Sequence, residues 1–289
     1  MTILVTGGAG QLGRSVARCG AALGQAVLAL GADQLDVTDP AAIAAQLDRV
    51  APAVVINAAA YTAVDRAEAE PDRAAAINAI APGLVAEACA ARGIAMLHVS
   101  TNYVFDGASE RAYVESDPVA PLSVYGETKA AGERAVVACG GTVVRTSWLF
   151  AAGGPSFVQT IVRLATAQAT LRVVADQHGC PTWADDLAAA LLALAALPAR
   201  APLYHYCDAE PTSWHGFATA IVEEARRHRP LACRRIDAIA TADYPLPARR
   251  PSRGVLDTGR IRAAGIVAPS WRLGLARTIS DDARAGDRA

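Results

Sequence analysis

The chain has 289 residues, enough for one large α/β domain and a smaller lobe around a substantial core. Hydrophobic residues make up 53% of it and charged residues 19%, a globular composition. The formal net charge of −1 leaves no basic stripe for nucleic acid and no polybasic patch for an anionic membrane.

Met1 leads directly into the apolar run Thr2-Ile3-Leu4-Val5, with no basic n-region and no small-residue cleavage site, so no signal peptide is expected. The run predicts a first strand, Ile3–Thr6, which passes into Gly7-Gly8-Ala9-Gly10-Gln11-Leu12-Gly13 and then a helix at 11–22. A G-x-x-G-x-x-G between a strand and a helix suits a dinucleotide. Gly7 makes the tight turn, Gly10 lets backbone approach the pyrophosphate, and Gly13 lets helix and strand pack closely. A second strand, Ala26–Leu30, ends at Leu30-Gly31-Ala32 without an acidic residue placed to hold a ribose 2′-hydroxyl. That favours NADPH over NADH, with Arg14 or Arg18 on the first helix as the cation for a 2′-phosphate. Asp36-Val37 follows and is expected to border the adenine.

A helix at 40–49 precedes the strand Val54–Asn57, whose carboxyl end, Asn57 to Tyr61, offers small side chains beside a cofactor. The pattern at 65–92 predicts one long helix, and Ala95–Ser100 a fourth strand. That strand delivers Ser100-Thr101-Asn102 to the carboxyl edge, where a hydroxyl can bond a substrate carbonyl oxygen. A helix at 125–138 then opens on Tyr125-Gly-Glu-Thr-Lys129, a Y-x-x-x-K. The i, i+4 spacing puts both side chains on one face. A free tyrosine has a pKa of about 10; an adjacent ammonium stabilises the phenolate and makes it a better proton donor near neutrality. Of the 27 basic residues, Lys129 is the one lysine and the rest are arginine, so a compact point charge is kept at this position alone.

After the strand Thr142–Thr146 the order loosens: a helix at 156–168, strand 171–174, helix 183–196, strand 203–206 and helix 213–228. A segment rich in Pro and Arg (Tyr244–Arg253) follows, and the polar Asp281–Ala289 is expected to fray. Leu187–Leu197 is too short for a bilayer, which needs about 20 apolar residues. The six cysteines are scattered without a C-x-x-C pair, as in a reducing compartment, which points to the cytoplasm. The expected fold is α/β, a Rossmann-type doubly wound parallel sheet with a smaller C-terminal substrate lobe. Residues 1–150 form the NAD(P)-binding domain, with 171–208 returning to it, and 151–170 with 209–289 form mainly the nucleotide-sugar lobe.

The run Ser100-Thr101-Asn102-Tyr103-Val104-Phe105-Asp106-Gly107 resembles the S-T-D-Y-V-F-D-G of the dTDP-4-dehydrorhamnose reductases, within the extended short-chain dehydrogenase/reductases. Asn57–Asp65, Pro121–Lys129, Arg145–Trp148, Asp176–Thr182, Tyr204-His205, Ser213-Trp214, Tyr244–Pro251 and Leu256-Asp257-Thr258 resemble the same family in the same order. The resemblance implies NADPH-dependent reduction of the 4-keto group of dTDP-4-dehydro-β-L-rhamnose, the last step of dTDP-rhamnose synthesis, by a monomer or homodimer. It implies that Tyr125, Lys129 and Thr101 carry the chemistry. Gly7, Gly10, Gln11, Leu12, Gly13, Asp36, Val37, Ala59, Ala60, Tyr61 and Thr62 would line the cofactor with Tyr125 and Lys129. Thr101, Asn102, Tyr125 and Trp148 would touch the sugar. The sequence departs from the pattern in three places: Asn102 stands where the family has Asp, and Ser156 and Gly254 where Asn and Ser are expected. Some relatives dimerise around Mg²⁺ through a Glu on the first helix; that place here is Ser15, so no metal is expected. Two other readings compete: another nucleotide-sugar reductase or epimerase of the extended short-chain class, and a non-catalytic subunit that senses NADP(H).

Overall fold

The computed structural model describes residues 1–286. The first half runs β1 (Thr2–Thr6), α1 (Gln11–Ala22), β2 (Ala26–Leu30), α2 (Pro40–Val50), β3 (Val54–Asn57), α3 (Val64–Ala67), α4 (Pro71–Ala75), α5 (Ala81–Ala90), β4 (Ala95–Thr101), α6 (Val124–Ala138) and β5 (Thr142–Thr146). The second half runs β6 (Leu149–Phe150), α7 (Phe157–Ala167), β7 (Thr170–Val174), β8 (His178–Gly179), β9 (Thr182–Trp183), α8 (Ala184–Ala196), β10 (Leu203–His205), β11 (Thr212–Ser213), α9 (Trp214–Ala225), β12 (Arg235–Ile239), α10 (Gly259–Ala263) and α11 (Trp271–Gly286).

Six strands form one parallel sheet in the order β10-β5-β4-β3-β1-β2, the doubly wound arrangement expected. Successive side chains of a strand face opposite ways. Ile3 and Val5 therefore pack on one face with Val16 of α1 and Leu187 and Leu191 of α8. Leu4 packs on the other with Ile43 of α2, Val85 of α5 and Val136 of α6. The chain leaves β1 toward β2 on one side and returns to β3 on the other. This reversal opens a crevice at the carboxyl ends of β1 and β3, where open α/β sheets bind ligands.

The long helix expected at 65–92 is broken. It stops after Ala67, and Pro71, which lacks an N–H, opens a second helical run that continues to Ala90 with Pro82 inside it. Between the two prolines Ala76–Ile80 form a π-turn. The turn aims Asn78 at Tyr61, whose backbone N–H and C=O it holds at 2.9 and 3.0 Å. The carboxyl end of β3 is fixed in this way.

A second core gathers Phe150 of β6 and Trp183 of β9 with Ile161, Phe217, Trp271 and Leu275 of α7, α9 and α11. The strand expected at 171–174 does not rejoin the large sheet. As β7 it pairs with β12, and Leu171 and Val173 face this second core. The chain comes back to the sheet with α8 and β10. The expected fraying is replaced through Gly286 by α11, whose Asp282 accepts from Gly153 N and Gln159 Nε2 at 2.8 and 2.7 Å. The end of that expectation, 287–289, lies outside the described residues.

Asp208 sits where the two cores meet. It is buried, and its Oδ2 accepts the Trp183 backbone N–H at 2.7 Å. Burial pushes its carboxyl up to about 8, against the Trp183 hydrogen bond, while nearby Asp186 adds to the rise. A carboxyl raised in the fold favours the neutral form, so its contribution is lost as pH climbs from the unfolded value toward about 8. Asp208→Asn removes that titration. The expected result is a stability difference between variant and wild type that grows in favour of the variant from acid to mild alkali, by at least the roughly 1.4 kcal/mol of one pKa unit. Calorimetry across that range checks it, and a pH-independent difference would refute the assignment.

Candidate active site

β1 ends at Thr6 and the chain turns at Gly7 with φ +69°. A Cβ on Gly7 would lie 2.7 Å from Ala59 N, and one on Gly13 would lie 2.4 Å from the Gly7 carbonyl oxygen. Only glycine allows this closeness of loop, helix and β3. Gly10 caps α1 without a side-chain hydrogen bond, so the N–H groups of the first turn face the crevice, an arrangement that suits a diphosphate. Gln11 Oε1 and Ser100 Oγ are buried there without a partner. The cradle and these unsatisfied atoms fit a dinucleotide.

Gly7, Gly10, Gln11, Leu12, Gly13, Ala60 and Thr62 border one cavity of about 420 Å³. Thr101, Asn102, Tyr125, Lys129 and Trp148 border the same cavity. Ala59, Tyr61, Asp36 and Val37 are not on its wall. Ala59 N–H is spent on Asn57 Oδ1 at 3.2 Å, and the Tyr61 hydroxyl on Glu70 at 2.9 Å. Asp36 accepts from Thr38 N and Oγ1 at 2.8 and 2.7 Å, and Val37 is buried against α2.

The adenosine end differs from expectation in two ways. The turn after β2 folds Asp33 back, so that its carboxylate lies 2.5 Å from where a Gly31 side chain would begin. An acidic group therefore does stand at the strand end, supplied from two residues further on. The arginines are engaged elsewhere. Arg18 forms an ion pair with Asp185 of α8, and Arg14 donates to the carbonyls of Ala9 and Gly153 at 2.6 and 3.4 Å. Neither has a hydrogen bond to β2 or to Gly31 among those of the described residues.

Ser123 caps α6 by accepting the Gly126 N–H at 3.2 Å, which starts the helix in time to project Tyr125 and Lys129 from one face. The Tyr125 ring packs edge-on against Tyr103, with centroids 5.5 Å apart. Burial pushes the Tyr125 phenol up to about 12; the Thr101 hydrogen bond works against this and Tyr103 adds to it. The expected lowering by Lys129 is missing from these causes. The Lys129 amine is turned inward, donating to Val99 O at 2.7 Å and lying 3.3 Å from His98 Nε2. Burial brings Lys129 down to about 8, with Glu133 opposing.

Trp148 has φ +46°, a costly conformation for a bulky residue, of the kind that clusters at functional sites. Its ring lies against Gly179 on one side and stacks on Trp214 on the other at 3.5 Å. Trp214 enters the sequence reading only as part of the Ser213-Trp214 match and not as a site residue, though an indole directly after the Ser213 cap marks it. Beyond Tyr103 and Trp214 a second cavity of about 730 Å³ continues into the small lobe, with Leu171 and Val173 on its wall. Arg250, held by Asp65 at 2.7 and 3.0 Å, borders it.

Two departures from the family pattern turn out to be one contact. Asn102 Nδ2 donates to the Gly254 carbonyl at 3.0 Å, and a Cβ on Gly254 would fall 2.1 Å from that nitrogen. An Asp at 102 could not donate, and a Ser at 254 would displace the amide. Gly254→Ser alone is expected to raise KM for the sugar about tenfold, roughly 1.4 kcal/mol. Adding Asn102→Asp should recover most of it, because a serine hydroxyl can donate to the carboxylate. Additive effects in that double-mutant cycle would rule out the pairing. The third departure, Ser156, caps α7 by accepting Val158 N–H at 3.1 Å. Ser15 is buried on α1 and accepts from Arg18 at 3.3 Å. No group of three or more His, Cys, Asp or Glu that could hold a metal occurs among the described residues.

A family model described as RmlD substrate binding domain matches residues 1–284. A dTDP-4-dehydrorhamnose reductase of Burkholderia thailandensis is 43% identical, with 97% of this chain and 99% of that protein covered. One of Streptomyces griseus is 44% identical over 96% of this chain and 92% of its own. Among solved structures, a dTDP-4-dehydrorhamnose reductase of Bacillus anthracis in complex with NADP superposes with a TM-score of 0.91 at 32% identity, covering 97% and 99% of the two chains.

Proposed function

The chain belongs to the RmlD substrate binding domain family, and from that premise we propose that it reduces the 4-keto group of dTDP-4-dehydro-β-L-rhamnose to give dTDP-β-L-rhamnose, with NADPH as reductant. One observation carries the reading: Thr101, Tyr125 and Lys129 stand in a single cavity with the glycine loop, in a chain similar over nearly its whole length to reductases of that name.

Bound NADPH supplies the hydride to the carbonyl carbon. The rest is done by side chains. Gly7 to Gly13 and the first turn of α1 hold the dinucleotide diphosphate. The hydroxyls of Thr101 and Tyr125 bond the substrate carbonyl oxygen, and Tyr125 gives it a proton as negative charge develops there. A phenol at about 12 stays loaded with that proton at any working pH. Lys129 stabilises the phenolate left behind. Asn102 and the Trp148–Trp214 pair orient the sugar and exclude water, and the adjoining cavity beside Arg250 takes the dTDP portion.

Two finer assignments accompany this reading. The dinucleotide lobe comprises residues 1–147 with α8, β10 and α10, and the sugar-nucleotide lobe the remaining described residues. The protein works in the cytoplasm, in keeping with six free cysteines and with no helix among the described residues long and apolar enough to cross a membrane.

Turnover of the 4-keto nucleotide sugar with NADPH and NADH in parallel tests the function. Oxidation of one dinucleotide per dTDP-rhamnose formed is expected. Interconversion of sugars without net oxidation would make the chain an epimerase, and binding without turnover would make it a sensor.

A further inference from the structure

Beneath the catalytic pair lies a buried hydrogen-bond chain that the steps above do not use. The Ala59 backbone N–H and the Thr6 hydroxyl both donate to Asn57 Oδ1, at 3.2 and 2.6 Å. A backbone N–H can only donate, so Ala59 fixes which end of the amide is oxygen and turns Nδ2 toward β4. There Nδ2 lies 3.1 Å from His98 Nδ1. The amide nitrogen also only donates, so Nδ1 holds a lone pair and the neutral imidazole carries its proton on Nε2. His98 is fully buried, and burial together with Lys129 holds it well below the usual imidazole range, so the ring stays neutral. Its Nε2 is 3.3 Å from Lys129 Nζ. With Nε2–H aimed there, an ammonium meets donor to donor. A neutral amine accepts from Nε2–H and donates its own N–H to Val99 O at 2.7 Å.

We propose that His98 is a positioning residue that ties the place of Lys129 to its charge: the neutral amine docks inward on His98 and Val99, and the ammonium is released toward Tyr125. Few other titratable groups face Lys129. Its own helix presents Tyr125, which packs on Tyr103, and Glu133, which Arg145 of β5 closes off with bonds of 2.9 and 2.7 Å. β4 presents His98, while β3 and β1 present only the uncharged Asn57 and Thr6.

The proposal rests on Lys129 serving the reductase reaction, but its test needs no turnover, so the two readings fail separately. Nitrogen NMR of the wild-type imidazole should show His98 protonated at Nε2 and bare at Nδ1 throughout the neutral range. A ring protonated at Nδ1 would overturn the proposal whether or not any variant folds. Because Lys129 is the only lysine, ¹⁵N-lysine labelling gives one Nζ resonance to titrate. Asn57→Asp keeps the bonds from Ala59 and Thr6 but can only accept from His98. It thus moves the ring proton to Nδ1 and makes Nε2 an acceptor for the ammonium. The Lys129 titration should rise from about 8 by about one unit or more. An unchanged titration in the folded variant would overturn the proposal.

Discussion

Tyr125→Phe lowers kcat by at least about 10²-fold, the loss typical of a missing general acid, and leaves NADPH affinity nearly unchanged. The split follows from where the phenol stands. Its ring packs on Tyr103 through contacts that phenylalanine keeps, and the glycine loop that holds the dinucleotide is on other elements. The hydroxyl alone meets Thr101 and the carbonyl oxygen, and water is a poor substitute because Tyr125 is only 9% exposed. The loss appears in kcat because the proton moves only in the transition state. Steady-state kinetics beside a dinucleotide titration separate the terms. A variant within about threefold of wild-type kcat would remove Tyr125 from the chemistry.

What could be read beforehand was what is local in the chain. Strands β1, β3 and β5 are apolar runs buried on both faces, and the Y-x-x-x-K and the glycine loop are motifs whose partners lie within one turn or one loop. α11 was legible and was missed: Trp271, Leu275 and Ile279 recur every four residues in one stripe beneath a polar surface. β12 was not legible, since Arg235 and Asp237 interrupt five residues whose partner strand lies far back in the chain. The site divides in the same way. Spacing singles out Tyr125 and Lys129, and a place at a strand's carboxyl end Thr101, but the contacts around them join distant segments. Asn57 meets His98, Asn102 meets Gly254 and Trp148 meets Trp214 only once the sheet has formed. Arg18 misled for that reason, because its partner Asp185 belongs to α8. Asp33 is not legible at the strand end from sequence, because it is a turn closed by Gln34 and Leu35 N–H on Gly31 O that brings it back.

Lys129→Arg is the second large effect, in a chain that uses arginine for every other cation. Lys129 is 2% exposed, and its amine fits between one carbonyl, Val99 O, and one ring nitrogen of His98. A guanidinium is planar, wider and carries five N–H donors, for which this pocket has one certain acceptor. Leaving a buried charge without partners costs about 3–5 kcal/mol, so the melting temperature should fall as well as the rate. Turnover should drop by about 10²-fold or more. The decisive reading is the pH profile of the activity that remains. Burial lowers Lys129 to about 8, so the ammonium is present below that pH and lost above it. Wild-type kcat should therefore decline as pH rises through about 8, while Tyr125, at about 12, adds no limb in that range. A guanidinium does not titrate there, so the arginine variant should be slow but flat across the interval where wild type declines. Lys129→Met, similar in length but uncharged, separates charge from shape: it should be slow, flat and more stable than the arginine variant. Should Lys129→Arg keep an alkaline limb near that of wild type, the limb belongs to another group and Lys129 does not supply the charge that stabilises the Tyr125 phenolate.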